Sequence, residues 1–428
     1  MNAPLFTEQF EQIRPSLPDG DAEWRQVALD RFNALGLPSQ KREAWRYTPL
    51  TGLKSDLTAA ALDQESIGAA LKAQMIPGAL HLAFVGGYFV PELSSSLEGV
   101  GGLSIANITQ LLIDDSAGDG DALVNDIVLN GGENPDEALV ALNGAMVSDG
   151  AVIDVAPGAQ ITQPIQLLYA GNPTGLVNVR HIVQMGAGSR ASLVEVAQDA
   201  DAQGWLNVVN QIALADDARL DHLRIMDDGE QASHISQTRV SLAANARYES
   251  FALLSGGALA RHDVQAVFTG SGGHCGLSGI GLGQQKQIRD VITHIDHALP
   301  DCTSAQTFKN VMDDHASSVF QGKVTVQQDA QRTDAQQSNQ NILLARTATA
   351  NAKPELVIFA DDVKCAHGAT VGELDVDQLF YLRARGLDEE TAKQLLVEGF
   401  IADVFEIIED ESLRNHLRNT ASDWLGTS

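Results

Sequence analysis

Gly188-Ser189-Arg190-Ala191-Ser192, Asp217-Ala218-Arg219-Leu220-Asp221, Asn245-Ala246-Arg247-Tyr248-Glu249 and Ala330-Gln331-Arg332-Thr333-Asp334 are four pieces of one long stretch, from about His181 to Thr370, and their likeness decides the fold. Superposing them on their turn residues aligns Arg190, Arg219, Arg247, His274, Thr303, Arg332 and Lys364. Neighbours in that series lie about 27 to 32 residues apart, a solenoid-like period. Around each turn the chain alternates, as with Val183 and Met185 before one turn, or Val324 and Val326 before another and Ala335 after it. Alternation at period two marks half-buried strands. The series is too long for one sandwich and has no crossover helices, so a β-solenoid or β-helix is predicted, each turn of chain hydrogen-bonding to the next. Edges then survive only at the two ends, which must be covered or paired with another chain.

The chain's 428 residues allow two or three domains and a large core. Lys and Arg number 28 against 56 Asp and Glu, a net charge of -28, which argues against nucleic acid and against an anionic membrane as partners. Cys275, Cys302 and Cys365 show no CxxC spacing, so neither a disulfide framework nor a self-contained zinc site is indicated, and a reducing cytosol fits best. Met1 to Phe6 lacks a basic segment followed by an apolar run, and no window approaches the roughly 20 apolar residues of a membrane span. A soluble, cytoplasmic protein is expected.

Helical patterns flank the strand-rich stretch. Asp21 is placed to cap a helix with Trp24, Val27, Ala28, Phe32 and Leu35 on one face, stopped by Gly36-Leu37-Pro38. The basic and aromatic run Lys41 to Leu50 reads better as a loop packed on the neighbouring domain than as a base-stacking patch. An Ala-rich helix over about Leu62 to Met75 and a hairpin turning at Gly86-Gly87 follow. Asn134-Pro135-Asp136-Glu137 starts a helix whose buried face is Ala138, Leu139, Leu142, Ala145 and Met146. Beyond Thr370, Ala392, Leu395, Leu396, Phe400, Val404, Ile407 and Ile408 recur at helical steps, with Phe380, Tyr381 and Phe405 available to a partner protein and a final helix near Glu411 to Trp424 largely exposed. Domain limits are accordingly drawn at 1–145, 146–375 and 376–428.

Motifs for chemistry are few. Gly186 to Ala191 fits GxGxxG formally, but a strand follows in place of a phosphate-facing helix. GxxxxGK[ST], GxSxG and HExxH are absent. His294, Asp296, His297, Asp313, Asp314 and His315 are of metal-ligand type, yet alternation separates His297 from His294 and Asp296, and turn residues are the better account. In Lys364-Cys365-Ala366-His367 the Cys and His side chains point the same way on a strand, about 7 Å apart. Two readings stand: joint contact with a metal or cluster, or a plain core thiol beside a hydrogen-bonded core imidazole, the second modestly favoured by the residues alone. Two ligands leave a cluster half-coordinated, so a site here would need a second chain.

Val291 to His297, Ser304 to Lys309, Val319 to Gly322, Gln331 to Ala335, Asn341 to Leu344, Lys364 to Thr370 and Leu379 to Gly386 together resemble the SufB/SufD family of iron-sulfur cluster assembly proteins. The KCxHGAT form at Lys364 to Thr370 is that of the subunit that partners SufB. The resemblance implies a mainly β protein, a central right-handed parallel β-helix flanked by N-terminal and C-terminal α-helical domains. It implies a non-enzymatic scaffold in a complex with SufB, joined through the β-helix end, and with the ATPase SufC, docked on the C-terminal helices. His367 matches a family histidine proposed to act at the SufB interface, with Cys365 its neighbouring cysteine, as candidate iron or cluster contacts. Phe380, Tyr381, Arg385 and Phe400 match the region of SufC docking. No cofactor is expected to stay on this chain alone; iron or a nascent cluster passes through the complex, and a reduced flavin binds the assembly. A homodimer is expected to use the same edge when the chain is alone. The competing expectation is a β-helix enzyme acting on polysaccharide, which calls for an aromatic-lined groove with acidic residues, against an aromatic content of only 5%. A third is a purely structural subunit whose Cys365 and His367 fill the core.

Overall fold

The structure, a computed structural model, describes residues 3–50, 64–96, 99–113, 135–171 and 174–427. Ahead of the solenoid come α1 (Ala3–Ile13), α2 (Glu23–Leu35), α3 (Gln64–Gln74), α4 (Ile108–Ile113) and α5 (Ala138–Met146). Among them lie β1 (Leu80–Val85), β2 (Tyr88–Phe89) and β3 (Leu103–Asn107). β1 and β2 form the expected hairpin, turning through Gly86 and Gly87 at φ of 56° and 87°, a backbone that glycine adopts without strain. Asp21 does not cap α2: the cap position is Ala22, and Asp21 pairs with Arg14 at 2.9 Å. All nine residues of α5 are buried, where one face was expected; Asn134, its predicted cap, and Leu62 and Asp63 before α3 lie outside the described residues.

Sixteen strands then run β4 (Ala151–Val155), β5 (Ile165–Ala170), β6 (Leu176–Met185), β7 (Arg190–Ala197), β8 (Trp205–Leu214), β9 (Arg219–Met226), β10 (Ser233–Leu242) and β11 (Arg247–Leu254). They continue with β12 (Leu259–Phe268), β13 (His274–Gly283), β14 (Ile288–His297), β15 (Thr303–Met312), β16 (Ser317–Val326), β17 (Asp334–Leu343), β18 (Thr349–Ile358) and β19 (Lys364–Gly372). Even strands pair in parallel in one sheet, which β3 closes antiparallel; odd strands pair in parallel in the other, which β1 and β2 close. This is a parallel β-helix, two strands to a coil. Helices α6 (Val376–Ala384), α7 (Glu389–Ile401) and α8 (Glu411–Thr427) follow it.

The first column of the odd sheet is Arg190, Arg219, Arg247, His274, Thr303, Asp334 and Lys364. Asp334 holds the place predicted for Arg332. The turn before β17, residues 327–333, is two residues longer than the turn before β15, residues 298–302, and this displaces the count. Arg332 is instead the left-handed turn residue of its coil (φ 60°), as Gly188, Asp217, Asn245, Gly272 and Asp301 are of theirs. Gly, Asn and Asp enter that region most readily. Arg332 is held there by its guanidinium on Asp301 and its N–H on the carbonyl of Asp362.

Inward side chains, among them Leu167, Val208, Leu220, Val240 and Leu277, fill the solenoid. Strand β13 turns Gly279, Gly281 and Gly283 toward larger partners on β15: a Cβ on Gly281 would lie 2.3 Å from Asn310 Oδ1, and one on Gly283 2.9 Å from Met312 Sδ. Both outer faces are also covered in part. Leu253, Ile280, Leu282 and Val311 of the odd sheet pack on Val404, Phe405, Leu413, Leu417 and Trp424. Phe405, expected to face a partner, is therefore core, its ring 5.6 Å from that of Phe251, and α8 buries a full apolar stripe where exposure was expected. On the even sheet, Trp205, Ile235 and Leu259 pack on Trp45 and Phe32. The run Lys41 to Leu50 packs as read: Arg261 lies over the Trp45 ring at 3.8 Å and donates to the Ala44 carbonyl at 2.9 Å.

One ionic cluster interrupts the apolar interior. Glu195 accepts from Tyr169 Oη (2.6 Å) and Asn210 Nδ2 (2.8 Å), and it meets His222 Nε2 at 2.7 Å and the Arg224 guanidinium. Burial works to raise the Glu195 carboxyl, but Arg224 and His222 overcome it and hold it well below the usual carboxylate range. The nearby His181 is lowered by burial to about 4 and stays neutral.

Candidate functional site

Strand β19 carries the Cys-x-His pair because Lys364 to Gly372 is the last segment that alternates before Asp375 caps α6. It pairs with β17 in the register Ala335↔Cys365, Gln337↔His367, Asn339↔Ala369 and Asn341↔Val371. The β17 partners are all buried, so Cys365, His367, Ala369 and Val371 continue the inward columns. Beyond β19 and β18 no strand follows among the described residues, and the inward face of the last coil is uncovered. Val371 is 53% exposed and Ile358 40%. In the chain alone His367 is exposed and Cys365 half-buried, because no further coil lies over them among the described residues.

Cys365 leans on Leu356 and Val363 over Val324, Val326 and Ala335. Burial, with the charge of Asp334 added, raises its thiol above the ordinary range despite a backbone N–H from Ala335, so the chain alone presents a thiol and not a thiolate. Lys364 points to the opposite face and does not offset this. Cys275 shares the Cys365 column, with Ser304 and Ala335 between, about 14 Å away at the strand spacing of a sheet. Cys302 sits in a turn, its Sγ 3.5 Å from the carbonyls of Gly270 and Pro300. Burial raises both thiols.

The two free edges differ. β18 carries Lys353, Pro354 and Glu355 in succession, and a proline without N–H beside charged residues blunts an edge against pairing. β19 has no proline and ends Gly368-Ala369-Thr370-Val371-Gly372, an edge open to another strand.

On α6, capped by Asp375 accepting from the N–H groups of Asp377 and Gln378, Phe380 is 72% and Tyr381 58% exposed, and no residue of the helix is buried. Arg385 stacks on Tyr381 and donates to its hydroxyl at 3.1 Å. Phe400 stands apart from them: it is half-buried against the β-helix, with Lys309 Nζ 4.8 Å from its ring centroid and 2.7 Å from its carbonyl.

The other candidates do not assemble. His294 bonds Thr325 Oγ1 at 3.0 Å on the outer face, whereas His297 lies inside against Ser304 Oγ at 2.9 Å. Among the described residues no three His, Cys, Asp or Glu side chains are grouped to hold a metal ion. Gly186 to Ala191 runs into β7, as expected of a turn before a strand. A shallow groove of about 590 Å³ on the even sheet is lined by Gln184, Gln211, Arg239, Gln265, His294 and Asp296 with aliphatic neighbours, and no Phe, Tyr or Trp lines it. A sugar-binding floor is therefore missing there. No helix among the described residues is long and apolar enough to cross a membrane.

Sequence reading missed the polar column behind His367: Gln306 on β15 and Gln337 on β17 stack beneath it, each buried. Gln336 and Gln337 are indistinguishable until the register fixes which of them points inward.

A family model described as SUF system FeS cluster assembly, SufBD core domain, matches residues 168–400. The chain is 30% identical over 398 residues to the iron-sulfur cluster assembly protein SufD of Escherichia coli, covering 92% of this chain and 90% of that one. It is 32% identical over 413 residues to an iron-sulfur cluster assembly SufBD family protein of Synechocystis sp., covering 93% and 90%. With the SufD of Bacillus subtilis it shares 26% identity over 303 residues, 69% of each chain.

Proposed function

The chain belongs to the SufBD family of iron-sulfur cluster assembly proteins, and from that premise we propose that it is a non-catalytic scaffold subunit which joins SufB, with the ATPase SufC, and helps gather iron and form a nascent cluster at the SufB interface. The observation that carries this reading is the uncovered last coil, with Cys365 and His367 on its inward face beside the open edge of β19. A strand from SufB added to that edge would satisfy its backbone and bury the exposed part of Val371, on the order of 1 kcal/mol. His367 supplies a nitrogen and Cys365 a sulfur on one side of the seam, and the facing chain supplies the remaining ligands. Because the Cys365 thiol is raised, iron must displace its proton on binding, which couples loading to proton release.

Phe380, Tyr381 and Arg385 on the exposed α6 are the SufC contact in this reading, with Phe400 holding α7 to the β-helix behind them. ATP hydrolysis belongs to SufC, and a reduced flavin belongs to the assembled complex. When alone, the chain pairs with a second copy through the same edge.

Co-expression with SufB and SufC, wild type against His367→Ala, tests the proposal by complex recovery and by iron and sulfide after anaerobic isolation. A normal complex with lost iron supports it. An intact complex with intact iron and cluster leaves a purely structural subunit, and no complex with wild-type chain defeats the assignment of partners.

A further inference from the structure

Resting on that reading of the site, we infer that Gln337 is a positioning residue for His367: its side-chain Oε1 accepts the N–H of one imidazole nitrogen and leaves the lone pair of the other facing the seam. Gln337 is 4% exposed and is the direct register partner of His367. Its Nε2 is committed below, to Gln306 Oε1 at 3.4 Å, and Gln306 Oε1 is itself fixed by the Thr293 hydroxyl at 2.6 Å. The amide has a purpose-built slot: a Cβ on Gly322 would lie only 2.1 Å from Gln337 Nε2.

Held this way, Gln337 Oε1 is buried with no hydrogen-bond partner among the described residues. An acceptor left so keeps the whole cost of its desolvation. Of the β19 side chains in the inward column, Ala369 has no donor and the Cys365 thiol is a weak one, which leaves the imidazole of His367, one rung above, as the donor that a turn of its side chain would bring to this oxygen. A bond from one rung to the next is already made two positions along the same strands, where Asn310 Nδ2 donates to Asn341 Oδ1 at 2.9 Å. A histidine whose second nitrogen is engaged in this manner has one tautomer and one orientation, and loss of such a partner costs roughly 10- to 100-fold in metal affinity.

The test uses the full chain with histidine-selective ¹⁵N labelling, reading the tautomer of neutral His367 about two pH units above the ordinary imidazole pKa and assigning its signals with His367→Ala. Wild type is expected to show one dominant tautomer and Gln337→Leu a mixture. Gln337→Glu, which keeps an acceptor oxygen, is expected to restore the single form. In the complex with SufB and SufC, anaerobic Fe(II) titration is expected to show binding weakened about tenfold in Gln337→Leu and recovered in Gln337→Glu. An identical tautomer ratio in wild type and Gln337→Leu overturns the proposal whatever the iron does. Undiminished Fe(II) binding by His367→Ala overturns instead the reading of the site, while the tautomers still decide whether Gln337 holds the ring.

Discussion

The two ends of the β-helix are made of the same kind of strand in the same parallel register, and they differ in what lies beyond the last rung. At the first end, β1 and β2 close one sheet and β3 closes the other, so inward residues such as Leu167 and Tyr169 are sealed beside Leu82 and Phe84 of β1. At the second end nothing follows β18 and β19 among the described residues, and the equivalent inward positions stand open. Strand pattern fixes which way a side chain points; only the next layer decides whether that direction is core or surface. The sealed part is where the chain holds an ionic cluster away from bulk solvent, and the open part is where a second chain can reach side chains that would otherwise be interior.

That contrast can be broken most directly in the sealed half. Arg224→Met removes the cation that holds Glu195 ionised, and breaking a buried pair costs about 3 to 5 kcal/mol; a urea midpoint that barely moves would show the cluster to be wet. His297 gives the next largest effect. Burial, with the charge of His274, lowers it to about 4, so the folded chain keeps it neutral while the unfolded chain takes a proton below its ordinary value near 6.5. Stability from this group is therefore complete above about pH 6.5 and lost as pH falls toward 4, at no more than about 1.4 kcal/mol per unit. His297→Asn should flatten the acid limb of a urea-midpoint against pH profile in that window, and an unchanged slope would count against a neutral, buried imidazole.

A smaller effect is expected where the C-terminal helices meet the column of turn arginines. Glu409 bridges Arg190 at 2.9 Å and Arg219 at 2.5 Å, both partly exposed. Glu409→Ala should cost less than about 1 kcal/mol, read as a slight midpoint shift in low salt that vanishes in high salt. The smallest effect on stability belongs to the open end: Ile358→Lys should leave the midpoint within about 0.5 kcal/mol yet weaken pairing with SufB or a second copy, seen by size-exclusion chromatography with light scattering. If Ile358→Lys instead unfolds the chain, the open end is not open.

Much of the fold was legible. Gly188, Asp217 and Asn245 mark left-handed turns at the solenoid spacing, and the alternation of Val324 and Val326 placed the inward columns. What escaped depends on contacts remote in sequence. Arg332 looked like a column residue because its turn has grown by two residues. Phe405 looked like a surface aromatic because nothing local reveals that Leu253 and Ile280 need a cover. Cys365 and His367 could be placed on one face, but their exposure is a statement about an absent following coil, which no pattern within the motif encodes. Gln337 needed the register itself.

The three inward glycines of β13 carry a different lesson. Gly279, Gly281 and Gly283 receive Phe308, Asn310 and Met312 from the neighbouring coil, so this joint works as a keyed lock in an otherwise repetitive stack. On their other edges β13 meets Ala252 and Leu254 of β11, and β15 meets Asn339, Asn341 and Leu343 of β17, so glycines face these large residues only across the joint between β13 and β15. Repeats that differ by one turn of chain can misthread while they fold, and a single mismatched joint gives the growing stack an address at which a slip of one coil is rejected.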